Sequence, residues 1–283
     1  MISGIDSSLS ALDSLTRKAE STANNVANVN TPGYKASRVT LQDVGGSAIA
    51  TASGADQLGR GVTVSNVARS QDQGGLEATP RPTDFGISGQ GYFVLREPAA
   101  GAADLYSRVG NFQYDQEGYL ISPGGALVQG WQLEATSGER QGSIGDIRIP
   151  QTMMTTSPDQ EEGTTAHLQG VATDGRGVIT ASYSDGLEVQ VAQVALATFN
   201  NPEGLRSDGG GIFRPSTTSG PASTGAPGTA GLGGLLPNAL EGSNVDLTRE
   251  LTTMLITQAG FKANVKMIQA GDEMIGSLLD IKT

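Results

Sequence analysis

The stretch STANNVANVNTPGYKAS, Ser21 to Ser37, ends a run of periodic apolar residues and then breaks at Pro32-Gly33. Upstream of it Ile5, Leu9, Leu12, Leu15, Ala19, Val26 and Val29 fall at helical spacing and trace one face of an amphipathic helix. Asp6-Ser7-Ser8 reads as its N-cap region. Pro32-Gly33 reads as its stop, since proline has no N–H for the ladder and glycine tolerates a positive φ. About 25 residues at 1.5 Å rise make a rod of roughly 37 Å. Asn24, Asn25, Asn28 and Asn30 crowd its exit, an unusual density of side-chain amides for a helix end.

Working outward, the other end of the chain mirrors this pattern. Leu251, Met254, Gln258, Phe261, Val265, Ile268, Asp272, Ile275 and Leu279 alternate spacings of three and four, the seam of a heptad repeat. Asn244 is the natural N-cap, and a helix from about Val245 to Ile281 would be on the order of 55 Å long. Two readings stand. The helices close on each other as a hairpin within one molecule, or the seam meets copies of itself. Polar seam positions such as Gln258 and Asp272 set register at a cost in stability, and an isolated two-helix rod buries little surface.

Between the ends strands dominate. GYFVL (91–95), LYSRVGNFQYDQEGYLI (105–121) and LEVQVAQVALATF (187–199) combine alternation with turn residues, and Gln116-Glu117-Gly118 reads as a hairpin loop. In the last segment the apolar parity switches, so a bulge is expected near Ala192-Gln193. Residues 207–234, rich in Gly, Ser, Thr and Pro, read as an exposed linker or loose loop. The fold class is α+β, with long N- and C-terminal helices forming a coiled-coil domain around a β-rich centre. The expected divisions are an N-terminal helix at 1–34, a connecting segment at 35–72, a β-rich domain at 73–240 and a C-terminal helix at 241–283.

The net charge of −11 is uneven: residues 1–35 carry three acids and three bases, residues 241–283 six acids and four bases, and the acidic excess lies between. Near-neutral ends suit burial against protein, and no basic patch for nucleic acid is present. With no cysteine, disulfides and thiolate metal sites are excluded. The N-terminus lacks a basic segment followed by an apolar core, so no cleaved signal is expected, and no run is long enough to insert in a membrane.

Catalytic, metal and cofactor sites are not expected. His167 is the one histidine and sits on a polar strand, and Glu161-Glu162 lie in a solvated turn. GISGQGYF (86–93) has its glycines before a strand with no helix to hold a phosphate, and Asp115 and Glu117 lack calcium-loop spacing. Trp131 suits core or rim packing.

ANNVANVNTPGYK (23–35) resembles the signature of the bacterial flagellar axial proteins, the rod and hook subunits. GQGYFVL (89–95), YSRVGNFQYDQEGYL (106–120), LVQGW (127–131) and the segment 239–281 resemble that family in the same order. GSNVDLTREL (242–251), VALATFNNPEGL (194–205) and residues 147–170 look most like the hook protein, although little room remains between about Gly170 and Leu187 for its large outer domain. The resemblance therefore implies a short hook subunit, a torque-transmitting universal joint, with a distal or proximal rod protein (drive shaft) as the alternative. A secreted β-rich surface protein with a helical stalk is a reading of another class.

The resemblance also implies a helical homopolymer that meets other axial, cap and junction proteins and the export apparatus. It would be extracellular if hook and periplasmic if rod. The expected polymer interface is Leu12, Leu15, Ala19, Asn24, Asn25, Val26 and Asn28 with the C-terminal seam from Leu251 to Leu279 named above. Thr31, Pro32, Gly33 and Tyr34 would redirect the chain outward. The asparagine amides, able to donate and accept, would bond across subunits or to that turn, or else cap the helix.

Overall fold

The computed structural model describes residues 2–51, 54–98, 105–134, 138–155 and 164–280. Glu161 and Glu162 lie outside them, as do Ile281 and the side chain of Leu279. The chain forms two long helices and a large β-rich centre, an α+β fold divided into two compact units. One comprises Met1–Asn30, Lys35–Ser70 and Asn244–Thr283; the other comprises Thr31–Tyr34 and Gln71–Ser243.

In the helical unit, α1 spans Ile2–Ala27 and α2 spans Leu247–Asp280. α1 begins before the expected cap. Ser8 lies inside it, its hydroxyl turned back to donate to the carbonyl of Gly4, which satisfies a polar side chain on a helix without breaking it. The cap of α2 also differs from expectation. Asp246, not Asn244, takes it, its Oδ1 accepting from the N–H groups of Thr248 at 2.9 Å and Arg249 at 3.2 Å. Asn244 instead accepts from the N–H of Ala36 at 2.7 Å and donates to the carbonyl of Ser70, bridging the two chains at one end of an antiparallel strand pair, Ser37–Asp43 with Val62–Arg69. The connecting segment thus carries β-structure and clusters with the helices.

The second unit is built on one large antiparallel sheet. Its main path runs through Thr164–Thr173, Val178–Tyr183, Glu188–Val194, Leu127–Leu133, Tyr92–Arg96, Leu105–Ser107 and Ile212–Arg214. Tyr92–Arg96 is buried on both faces, which explains its continuous apolar run. Phe93 and Leu95 join the larger core with Phe85, Phe112 and Val128, whereas Tyr92 and Val94 join a second cluster with Tyr106, Phe199 and Phe213. Edge-to-face pairs fix both clusters: Phe93 on Phe112 with centroids 5.0 Å apart, and Tyr106 on Phe199 at 4.8 Å.

The parity switch in Glu188–Val194 is a bulge at Val191, where Gln190 faces Thr180 and Ala192 faces Ile179. The Gln116-Glu117-Gly118 loop is held by Asp115, whose Oδ1 accepts from the N–H groups of Glu117 and Tyr119. Residues 207–234 correct the expectation of a loose loop. They contribute to the strands Arg206–Gly209, Ile212–Arg214 and Ser223–Gly225, and they bury Ser219, Ala226 and Leu232. Small residues read as linker-like in sequence, but here they let the chain pack closely and turn often.

One buried ion pair ties distant parts of this unit together. Arg108 bonds Glu241, 5% and 2% exposed respectively, and also donates to the carbonyls of Ile87, Gly89 and Gly91. Glu241 accepts from the N–H of Gly74 through Oε1 and from the N–H of Gly33 through its backbone carbonyl. Gly33 takes φ +64°, and a Cβ there would stand 2.6 Å from Val109 Cγ2, so the turn Thr31–Tyr34 requires glycine for both conformation and space.

Candidate polymer interface

α1 and α2 pack antiparallel: Leu15 meets Gly260, and Ile5 meets Gly271. The face that α2 turns to α1 carries small residues at its closest points. Thr257 is 3% exposed, Gly271 is buried, and Gly260 lies so close that a Cβ there would stand 3.4 Å from Leu15 Cδ1. Small side chains let the helix axes approach, and leucine and isoleucine of α1 fill the groove.

This choice of face decides where the heptad seam lies. Met254, Val265, Ile268 and Ile275 are half-buried, but Leu251 (47%), Phe261 (41%), Gln258 and Asp272 are exposed. Further apolar residues that seam reasoning passed over are also exposed: Leu247, Leu255 (67%), Ile256, Met267 and Met274. At 100° per residue Phe261, Leu247 and Leu251 run from one edge of the small face round to Leu255 on the side opposite it, and Ile256, Met267 and Met274 lie along its other edge. α2 therefore carries two uncovered apolar stripes. On α1, Leu12, Leu15, Ala19 and Val26 are half-buried, while Leu9 is exposed.

A second face of α1 carries the strand pair, and polar side chains hold it. Ser14 Oγ donates to the carbonyl of Val62 at 3.2 Å, and Ser10 Oγ accepts the N–H of Val62 at 3.3 Å. Gly61 passes so close that a Cβ there would fall 2.1 Å from Ser10 Oγ. Asn25, 1% exposed, donates to the carbonyl of Ser37 at 2.8 Å and accepts its N–H at 2.9 Å. A side-chain amide thereby pairs with a backbone as another strand would, which a carboxylate, an acceptor only, cannot do. Asn28 turns back to donate to the carbonyl and Oδ1 of Asn24, closing the helix end. Asn24 and Asn30 are exposed.

Charge separates the units. The β-rich unit holds eight Lys and Arg against nineteen Asp and Glu, so it carries the whole net charge of −11; the helical unit holds ten of each. His167 is exposed on its strand, and Trp131 packs beside the second core cluster with the Arg140 guanidinium 4.5 Å over its ring. Among the described residues no three His, Cys, Asp or Glu stand together as a metal site, and no helix is long and apolar enough to cross a membrane.

Three family descriptions match the chain: "Flagella basal body rod protein" at residues 5–35, "Flagellar hook protein FlgE/F/G D1 domain" at 86–181 and "Flagellar basal body rod FlgEFG protein C-terminal" at 236–281. The flagellar basal-body rod protein FlgG of Bacillus subtilis is 32% identical over 292 aligned positions, covering 100% of both chains. The flagellar hook protein FlgE of Borreliella burgdorferi is 24% identical over 444 positions, again covering 100% of both. The hook protein FlgE of Caulobacter vibrioides is 40% identical over 116 positions, which cover 41% of this chain and 20% of that one. With an alignment to FlgG that spans both chains end to end, and family matches at both helices and in the β-rich centre, the chain belongs to the flagellar rod and hook axial protein family.

Proposed function

We propose that this chain is a rod subunit of the flagellar basal body, polymerising into a helical tube whose inner wall is the helical unit. The observation that carries the polymer reading is the pair of apolar stripes on α2, left open because α1 occupies the small-residue face. Fully burying a large apolar side chain contributes about 1.5–3 kcal/mol. Roughly half of that is still available at each of Leu247, Leu251, Leu255, Ile256, Phe261, Met267 and Met274, on the order of 5–10 kcal/mol for a copy surrounded on both sides. Heterologous contacts of this kind propagate as a helical filament where the rotation between copies does not close a ring.

In this reading Leu251, Phe261, Gln258 and Asp272 face neighbouring copies, and Leu12, Leu15, Ala19, Met254, Val265, Ile268 and Ile275 line the contact within each hairpin. Asn25 positions the strand pair, Asn24 and Asn28 finish α1 at the interface, and Thr31–Tyr34 turns the chain into the β-rich unit. Other axial proteins at the two ends of the tube, cap and junction proteins and the export apparatus are the further partners.

Length favours rod over the hook expected from the sequence. The alignment to the rod relative takes 292 positions for 283 residues, whereas the end-to-end alignment to the Borreliella hook protein takes 444. Hook remains the second reading, favoured by the 40% identity to the Caulobacter hook protein over 116 positions. Electron cryotomography of cells lacking the gene separates them. Truncated rods are expected, complete rods without a hook would make the chain a hook subunit, and normal flagella would remove both readings.

A further inference from the structure

A polar cleft within the helical unit has no role in the packing described above. It is lined by Lys18 and Thr22 of α1, Arg38 of the first strand, and Arg249, Glu250 and Thr253 of α2. The side chains of Lys18, Arg38 and Arg249 make no hydrogen bond or ion pair among the described residues, so three free cations face one cleft with a single carboxylate beside them. Such a concentration of positive charge is unexpected in a unit whose charges balance and a chain that is strongly acidic overall. It is suited to receive carboxylates.

The matching carboxylates lie at the opposite end of the same hairpin. Asp6, Asp272 and Glu273 are exposed, none has an ion partner among the described residues, and the contact of Ile5 with Gly271 brings them to one end. They cannot reach the cleft of their own chain. At 1.5 Å per residue, Asp6 stands about 18 Å along α1 from Lys18, and Glu273 about 36 Å along α2 from Arg249. Helices of this length do not fold back.

We propose that the cleft binds the acidic hairpin end of a second copy of this chain, so that successive copies stack head to tail. Arg38 and Arg249 present planar forks suited to carboxylates, and Lys18 adds a third charge. The inference rests on the polymer reading and adds the axial contact to the lateral one made by the stripes. The stripes supply most of the adhesion, and the charged ends set the axial register, since a slipped neighbour leaves three cations and three carboxylates unmatched.

The chain has no cysteine, so Arg38→Cys with Glu273→Cys in the full-length protein is a clean reporter. Mild oxidation of isolated basal bodies is expected to give a reducible ladder of dimers and higher multiples, with no ladder from either single variant. Arg249→Glu is expected to lower the number of assembled structures per cell at least tenfold, and Glu273→Arg in the same chain to restore it. Should the double-cysteine variant fail to assemble, this charge exchange decides. Assembled basal bodies with neither ladder nor restoration would overturn the head-to-tail contact and leave the polymer reading standing. Absence of the wild-type protein from isolated basal bodies would sink the polymer reading itself.

Discussion

Glu241→Gln tests the buried node of the β-rich unit. The substitution keeps the size of the side chain and an acceptor for the N–H of Gly74, but it removes the counter-charge bonded to Arg108, which is 5% exposed. Breaking one side of a buried pair costs about 3–5 kcal/mol. The carbonyls of Ile87, Gly89 and Gly91 still solvate the guanidinium in part, so the lower half of that range is expected. For a unit of this size each kcal/mol moves Tm by about 2–4 °C, giving a fall of about 6–16 °C. The one tryptophan, Trp131, lies in the same unit, so its fluorescence during thermal unfolding of the purified protein reports the change. Arg108→Met with Glu241→Leu removes both charges yet orphans the three carbonyls and the Gly74 N–H, so the double variant is not expected to regain wild-type stability. A shift of less than about 2 °C for Glu241→Gln would refute the claim that the node holds this unit together.

Three further outcomes follow from the structure. Leu255→Asp, at a position 67% exposed in the single chain, should leave the thermal unfolding of the monomer within about 0.5 kcal/mol of wild type while abolishing motility; preserved swimming would remove Leu255 from the interface. Gly260→Ala should stabilise the helical unit by up to about 1 kcal/mol in far-ultraviolet circular dichroism melts, since the added Cβ meets Leu15 at ordinary contact distance. Gly271→Ala should give less or reverse sign, because its Cβ stands 3.2 Å from Ile5 Cδ1. Burial, opposed by nearby Arg108 and reinforced by Glu241, pushes the Tyr92 hydroxyl up to about 12 from 10.0. A raised folded-state pKa stabilises fully below the unfolded value, and that stability is lost as pH rises from 10 through 12. Tyr92→Phe should therefore flatten the decline in Tm over that window, and an unchanged slope would show that Tyr92 does not govern it.

Much of this architecture is legible in the sequence because it depends on periodicity. The apolar spacing from Ile5 to Val29 gives α1, the double-faced run GYFVL gives a strand buried on both sides, and the parity switch after Val191 gives a bulge within one residue of its place. What sequence could not rank is competition between faces of one helix. A heptad seam from Leu251 to Leu279 is the stronger pattern, yet Thr257, Gly260 and Gly271 allow a closer approach, and α1 takes that face. The spacing of these small residues was the available signal. The caps failed for a related reason: Asn244 and Asp246 are both good N-caps, and Asn244 was claimed by Ala36 and Ser70, residues far away in sequence. Long-range polar partners such as Arg108 with Glu241, or Asn25 with the Ser37 backbone, leave no local pattern.

The account stands most directly on a helical reconstruction of the isolated rod by electron cryomicroscopy at side-chain resolution. It predicts that Leu251, Leu255 and Phe261 on one side of α2, and Ile256, Met267 and Met274 on the other, are buried against neighbouring copies while α1 keeps the small-residue face. Stripes left facing water or an open lumen, with copies held together through the β-rich unit alone, would contradict it.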